Sequence, residues 1–591
     1  MKRYLRLLTV GAMLTTLASC GVDEDAPILK GSRSFTATTE PVIPVRTALD
    51  EGFNVTWSTR DQVAIITDAG IERAVVSSVN ATGTEARISA DITGSQLYCT
   101  ISPFSAAVST SGSIVNVNIP TAQSATAGNY DPAAMVSYSR VEGSKLSFKN
   151  AVALLEFSVA SDDAITGLTI EADQDIAGPV SVNLEDNSIS GEGGSKSVSV
   201  TGPIAKDTRY FIAIRPGTFS TFTVTFTRSD GTKATATRTA VGTVSRSSHV
   251  FLGDFNIPAE KWVGSEAWYV AKYEEFIAER KDAGQHTSSK THVMGKKFEG
   301  LTITAAKLEK LADPNWEPTA TMNYREDTPK AYLRPYKVAS IFPNGMPSPK
   351  DVNQGSLPDC GALAMLADLA YMCPQFVKDM VRADTDSTFV VKMYLPDGTR
   401  TEVGVKSTFL ANDTKIIQCT GKNNNPCWSS ILEKALFKYN EVFDKFNPIG
   451  GTGPVPIIAM LTGRGECVDY KPKIIGEMSA DQMREIVDVM LHNHRFLMVM
   501  FQEAVTTPEN AEFGNVNTVT AHAYSGMYSS NPGAIMAVRN PWGFNNKISN
   551  TPGEGVMNII DDEVKPLIEL RVMFPGDDAI PYMVKPLKPY R

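Results

Sequence analysis

The sequence predicts a multidomain chain that is all-β over its N-terminal part and α+β over its C-terminal part. Three observations carry this. From about residue 33 to 256 the chain is rich in Thr, Ser, Val, Ala and Gly, with period-two alternation broken by turn signals such as Arg215-Pro-Gly-Thr and Ser229-Asp-Gly-Thr. Short alternating runs punctuated in this way are the pattern of antiparallel β-sandwich modules. From about residue 336 the pattern changes. A nearly apolar helical run over Gly361–Tyr371 precedes strand-like runs at Thr518–Ser525 and Ala534–Val538. Ahead of both parts, Lys2, Arg3 and Arg6 introduce a short apolar stretch, Leu7–Leu17, which reads as an export signal too short to span a bilayer.

Taken in order, residues 1–19 read as the signal peptide and 20–32 as a tether. Leu17-Ala18-Ser19-Cys20 resembles a bacterial lipobox, which implies cleavage before Cys20 and lipidation of that residue. The acidic Asp23-Glu24-Asp25 that follows resembles the signal that sends lipoproteins of some anaerobic Gram-negative bacteria to the outer face of the outer membrane; a plain solvated tether is the alternative. These resemblances imply an outer membrane lipoprotein exposed at the cell surface.

Within the β-rich part, Phe53–Trp57, Gln62–Ile66, Val152–Phe157 and Phe222–Phe226 read as strands. A break near residue 145 divides it into two modules, 33–144 and 145–256. Phe35–Glu40, Val55–Trp57 with Asp61–Ile65, Phe148–Phe157 and Tyr210–Pro216 resemble the fimbrillin-like family of surface adhesin and pilus subunits. The resemblance implies adhesion, pilus assembly or surface display, with Trp57 and Phe148 as core residues. Residues 257–335 carry a helical pattern at Ser265–Ile277 and then turn polar. They read as a linker, an elaboration of the following domain, or an inhibitory pro-segment.

Composition narrows the function. The formal net charge of −9 leaves no basic footprint, which argues against nucleic acid as a partner. Hydrophobic content of 42% with 20% charged residues argues against wholesale disorder. Apart from Cys20 the cysteines are Cys99, Cys360, Cys373, Cys419, Cys427 and Cys467, too few in a chain of 591 residues for a disulfide scaffold. Cys419 and Cys427 flank a polar loop, and whether they pair is open. No His/Cys cluster has zinc-ligand spacing.

The chemistry lies in residues 336–591. Cys360 heads the apolar helix, with Asp359 positioned to cap it, and a thiol at a helix N-terminus favours the thiolate. Gln354, in a Gly-containing loop just upstream, has a side-chain amide able to join the Cys360 N–H as an oxyanion donor. His522 reads as a strand residue, and Asn540 follows a second strand joined to the first through Asn531-Pro-Gly533. An asparagine carbonyl beside an imidazole fixes the ring. Trp542 is placed to shield that contact. Taken singly, Cys360 and His522 read as core residues and Asn540-Pro-Trp-Gly as a turn; the ordered set of four is what a thiol hydrolase needs.

Five ordered blocks resemble the calpain-type, papain-like cysteine proteases: Asp351–Ala364 around the cysteine, Trp428–Asn440, Leu461-Thr-Gly463, His522–Ser525 and Arg539–Gly543. The fold class expected is therefore fimbrillin-like all-β sandwich modules followed by an α+β papain-like domain. The resemblance implies Cys360 as nucleophile, His522 as general base and then acid, Asn540 as its orienting group and Gln354 as oxyanion donor, in peptide-bond hydrolysis through a thioester. Glu433-Lys434 reads as a solvated or paired helix face. Pro358 and Gly361 depart from the family's Gly-Asp-Cys-Trp, which leaves every catalytic group in place and alters the fit near the thiol. The chemistry needs no cofactor; calcium is implied by the resemblance alone, with no ligands mapped. The expected partners are protein or peptide substrates and a membrane reached through the lipid anchor. An adhesin or pilus accessory lipoprotein with an inactive protease-like domain is the alternative, and an acyltransferase on the same residues is a third reading.

Overall fold

The alternation that fills the first 256 positions folds as strand. In the computed structural model the chain forms two compact units, Met1–Ser265 and Glu266–Arg591. The structure describes residues 30–44, 55–161, 163–191, 193–288, 301–318, 331–443, 454–503, 506–507, 516–544, 555–559 and 562–590. The signal peptide, Cys20, most of the tether and Phe53 lie outside the described residues. Among the described residues no single helix is long and apolar enough to cross a membrane.

In the first unit one sheet runs, by strand, Lys145–Ser147, Gly31–Thr38, Glu85–Ile92, Gly70–Val79, Gln62–Thr67, Leu97–Ser102, Ser137–Glu142 and Lys149–Asn150. It buries Phe35, Trp57, Val63, Ile88 and Phe148 together. Trp57 meets Phe148 edge to face with 4.9 Å between ring centroids, the arrangement aromatic quadrupoles favour. Val55–Trp57, expected as strand, is irregular backbone whose Trp57 amide donates to the Gly83 carbonyl at 2.7 Å. Burial of the indole, not a strand ladder, fixes that segment.

A second core gathers Phe157, Tyr210, Phe226, Phe255 and Trp262. Strands from both sides of residue 145 build its sheets. Ile114–Ile119 pairs antiparallel with Gly178–Asn183, setting Val117 opposite Val180. Ala122–Ser124 pairs parallel with Ser197–Ile204, and Ile43–Pro44 pairs parallel with Ser248–Phe255.

The second unit is α+β. Its main sheet runs His286–Ser288, Glu466–Tyr470, Ile568–Phe574, Phe496–Phe501, Ala523–Met527, Met536–Arg539 and Val556–Ile559. The helix Cys360–Met372 packs on it with every residue from Ala362 to Ala370 buried, which explains why its sequence is apolar on all sides. Burying Leu363, Met365, Leu366 and Leu369 is worth about 1.5–3 kcal/mol each. The helix stops at Met372 because Pro374 follows and opens a new helix, Pro374–Met380, on a different course. The helix Trp428–Val442 is buried almost throughout, including Glu433, Lys434 and Lys438. Trp268, Phe276 and Ile277 of the Glu266–Asp282 helix, and Leu311 of Ala305–Ala312, belong to the same core.

Candidate active site

Two neighbouring strands place His522 and Asn540, one just before the first and the other just after the second. Ala523–Met527 and Met536–Arg539 run antiparallel with Ser525 opposite Arg539 and Met527 opposite Ala537. Continuing that register sets Asn540 opposite Tyr524, on the face of the strand that His522 also occupies. His522 Nε2 lies 2.8 Å from Asn540 Oδ1. The Trp542 N–H donates to the same Oδ1 at 3.0 Å, which identifies that atom as the amide oxygen. An oxygen acceptor holds the proton on Nε2 and leaves Nδ1 as the free lone pair of a neutral ring. The Trp542 ring covers the imidazole with 4.5 Å between centroids. His522 itself stands just before the strand. The extended run expected from Thr518 is interrupted at Ala521, whose φ of +51° turns the backbone.

Cys360 comes to this pair from the opposite side as the first residue of its helix, half-buried. The Ala523 N–H, adjacent in sequence to the histidine, points at Cys360 Sγ at 3.5 Å. One turn further along, Ser525 Oγ donates to the Ala364 carbonyl at 2.7 Å and fastens helix to strand. The loop before the cysteine is tied to the asparagine segment. Gln354 N–H donates to the Pro541 carbonyl at 2.8 Å, and Arg539 Nη2 to the Val352 carbonyl at 2.8 Å. Gly355 is packed so closely that a Cβ there would lie 2.0 Å from the Ile417 carbonyl oxygen, and one at Gly543 (φ +76°) would lie 2.0 Å from Asn353 Oδ1. The structure thus brings together Cys360, His522, Asn540 and Gln354 from three stretches of chain, Gln354 and Cys360 sharing one.

The Gln354 amide is directed into its own loop. Its Nε2 donates to the Leu357 carbonyl at 2.6 Å and lies 3.4 Å from Asp359 Oδ1, while Oε1 is buried without a hydrogen bond. Service to an oxyanion asks one of these N–H groups to turn toward the thiol.

Asp359 does not cap the helix; its side chain makes no cap hydrogen bond. It is buried against Glu433, whose carboxyl accepts from the Cys419 N–H at 2.9 Å and from Gln418 Nε2 at 3.1 Å. Burial pushes both carboxyls up, and the Asp359 charge adds to the rise at Glu433. Two buried carboxyls in contact do not both ionise, so they hold a proton between them. Glu433 and Lys434 are therefore not a solvated face. The helix is buried all round, and Lys434 pairs with Glu317 at 3.3 Å, with burial drawing its amine down to about 8. The sequence showed Asp359 only as a cap and Glu433 only as part of a solvated or paired helix face. Seventy-odd residues separate them, and no local pattern announces their contact.

Burial dominates the electrostatics of the reactive pair. It pushes the Cys360 thiol up, partly countered by the Ala523 N–H and reinforced by the Asp359 charge. It pulls the His522 imidazole down, partly countered by Asn540. Both shifts favour neutral thiol beside neutral imidazole, against the thiolate that the helix N-terminus alone suggests. All six described cysteines are free, so Cys419 and Cys427 do not pair. Among the described residues no group of three or more His, Cys, Asp or Glu side chains is placed to hold a metal ion.

Comparison with known proteins follows the same division. Residues 313–552 match the model of the calpain family of cysteine proteases. No curated protein matches the chain. Among solved structures, the β-rich N-terminal part is similar to a "putative cell adhesion protein" of Bacteroides uniformis (14% identity, 38% of this chain and 93% of that one, TM-score 0.26). A second such protein, of Bacteroides ovatus, is 11% identical over 38% of this chain and 94% of its own (TM-score 0.24). A fimbrial protein of Bacteroides ovatus is 12% identical over 38% and 49% (TM-score 0.20). Residues 313–552, in the second unit, thus form a calpain-like domain that follows a β-rich first unit.

Proposed function

We propose that the chain is a cysteine endopeptidase, tethered to the outer membrane by lipid at Cys20 and displayed at the cell surface by its β-rich unit. The observation that carries the enzymatic reading is the His522–Asn540 contact at 2.8 Å set beside Cys360, whose Sγ receives the neighbouring Ala523 N–H at 3.5 Å. In this mechanism the free Nδ1 of His522 takes the thiol proton as Cys360 Sγ attacks the scissile carbonyl carbon. The carbonyl π pair becomes an oxyanion, held by the Cys360 N–H and a turned Gln354 amide. The imidazolium then gives its proton to the leaving amine as the C–N bond breaks, leaving a thioester. Water, deprotonated by the same imidazole, hydrolyses the thioester and returns the thiol. Asn540 keeps the ring in one tautomer throughout, and the Trp542 ring over it restricts access of water to that hydrogen bond.

The test is active-site labelling. The chain from residue 21 onward is treated with an epoxysuccinyl inhibitor, with and without calcium, and the adduct is located by peptide mass spectrometry. An adduct on Cys360 that disappears in His522→Ala is expected, and its response to calcium decides the cofactor question. Folded protein that takes up no inhibitor under either condition overturns the enzymatic reading in favour of an adhesin with an inactive domain.

A further inference from the structure

A cleft of about 840 Å³ shares Gln354 and Trp542 with the candidate active site and is lined as well by Lys415 and Lys422. Its position relative to the chemistry follows from two walls. Gln354 belongs to the loop that precedes the nucleophile, and Trp542 lies over the imidazole. A general acid delivers its proton to the leaving amine, so the peptide on the C-terminal side of the scissile bond departs past His522. Trp542, which lies over that imidazole, is also part of the cleft wall.

The charge in the cleft runs against the balance of the chain. The whole sequence carries a formal −9, yet this cleft is lined by Lys350, Lys415 and Lys422. The carboxylate among its lining residues, Asp351, is turned into the wall: Oδ2 accepts from Trp428 Nε1 at 2.9 Å and from the Ser348 N–H at 3.0 Å. Lys415 and Lys422 are exposed, and neither forms an ion pair among the described residues. Beside them Asn423 and Asn424 present exposed amides able to donate to an anion, while Asn353 Nδ2 and Gln418 Nε2 are held by the Thr420 carbonyl and by Glu433. The loop holding Lys422 is built and not slack. Thr420 and Asn353 exchange backbone hydrogen bonds at 3.0 Å each, and the Gly421 N–H closes onto the Asn425 carbonyl at 2.8 Å. A cationic cleft that shares Gln354 and Trp542 with the candidate active site is complementary to carboxylate side chains.

We infer that this cleft receives the peptide segment C-terminal to the scissile bond and selects Asp and Glu there, with Lys415 and Lys422 as the selecting residues. The inference rests on the protease reading given above and adds a substrate class to it. The preference weakens as salt screens the exposed lysines, with a Debye length of about 8 Å at physiological ionic strength.

Cleavage profiling of the purified full chain on a peptide library tests it. Asp and Glu are expected to be enriched within the first few positions after the cut. The double variant Lys415→Glu/Lys422→Glu is expected to lose roughly tenfold in kcat/KM on acidic peptides, carried by KM, and to turn the preference toward Lys and Arg. Equal labelling of Cys360 by an epoxysuccinyl inhibitor in both proteins keeps the catalytic reading separate from this one. Absence of acidic enrichment, or a preference unchanged by the double reversal, overturns the inference while the labelling stands. Independently of turnover, fluorescence anisotropy with the Cys360→Ala chain reads binding of a Glu-rich peptide against its Lys-rich counterpart. Tighter, salt-sensitive binding of the acidic peptide is expected, and equal binding overturns the assignment.

Discussion

Replacing Glu433 tests the buried carboxyl pair behind the nucleophile. Glu433→Ala removes the acceptor of two buried donors, the Cys419 N–H at 2.9 Å and the Gln418 amide at 3.1 Å. A buried donor left unsatisfied costs about 1–3 kcal/mol, so the two together cost about 2–6 kcal/mol. The cavity left in a wholly buried helix adds about 1–2 kcal/mol. Relief of burying an acid against Asp359 offsets part of this, about 1–2 kcal/mol. The net expectation is a loss of about 2–6 kcal/mol. Glu433→Gln is the informative contrast. Its Oε1 still accepts from Cys419, and its Nε2 donates to Asp359 in place of the shared proton, so a change within about 1 kcal/mol is expected. Urea unfolding at neutral pH measures the difference, and hydrogen exchange of the peptide containing Cys419 localises it. A Glu433→Ala loss below about 1 kcal/mol, or equal losses for Ala and Gln, would refute the argument that hydrogen-bond satisfaction holds this pair in place.

Four further outcomes are expected. Asp368 is fully buried beside Ser525, and burial holds its carboxyl well above its usual 3.8. A raised folded value gives stability that is complete below 3.8 and lost as pH rises through the folded value; Asp368→Asn is therefore expected to gain stability at pH 8 relative to pH 5, read by urea unfolding at both. The alkylation rate of Cys360 is expected to hold on acidification through 6.5 and to fall only below it, because the imidazole is drawn down and stays neutral there; loss already above 6.5 contradicts the neutral pair. Asn540→Ala frees the ring and is expected to lower kcat by about 10²-fold or more with KM little changed, in peptide turnover assays. Gly355→Ala drives a Cβ to 2.0 Å from the Ile417 carbonyl and is expected to displace Gln354, cutting kcat while thermal unfolding reports a loss of about 1–3 kcal/mol.

The candidate set was legible through the order of its members and the local patterns that flank them. Cys360 heads an apolar run, and His522 and Asn540 flank two runs joined by a Pro-Gly turn. The strand alternation of Gln62–Thr67 and Gly217–Arg228 was equally visible. What escaped depends on contacts between distant segments. Period-two spacing suggested strand at Val55–Trp57, where tertiary burial of one indole decides the backbone. A charged dipeptide suggested a solvated or paired face at Glu433-Lys434; Lys434 is paired, with Glu317, but sequence carries no mark of a helix enclosed on every side. The extended run through Thr518–Ser525 concealed the turn at Ala521, since alanine is an uncommon residue at positive φ.

The pairing of Ile43–Pro44 with Ser248–Phe255 also sets the order in which the first unit can be completed. Glu40 is joined there by Arg246 and by the Asn150 N–H at 2.9 Å, so the start of the unit is latched by its end. Ile114–Ile119 likewise waits for Gly178–Asn183 to appear. A chain delivered from its N-terminus, as in synthesis or export, holds unpaired strand edges until about residue 255 has emerged. Unpaired edges attract one another, so this stretch is where a chaperone has the most to protect. A fragment ended at residue 144 keeps its Ile114–Ile119 strand without the partner that flanks it in the whole unit.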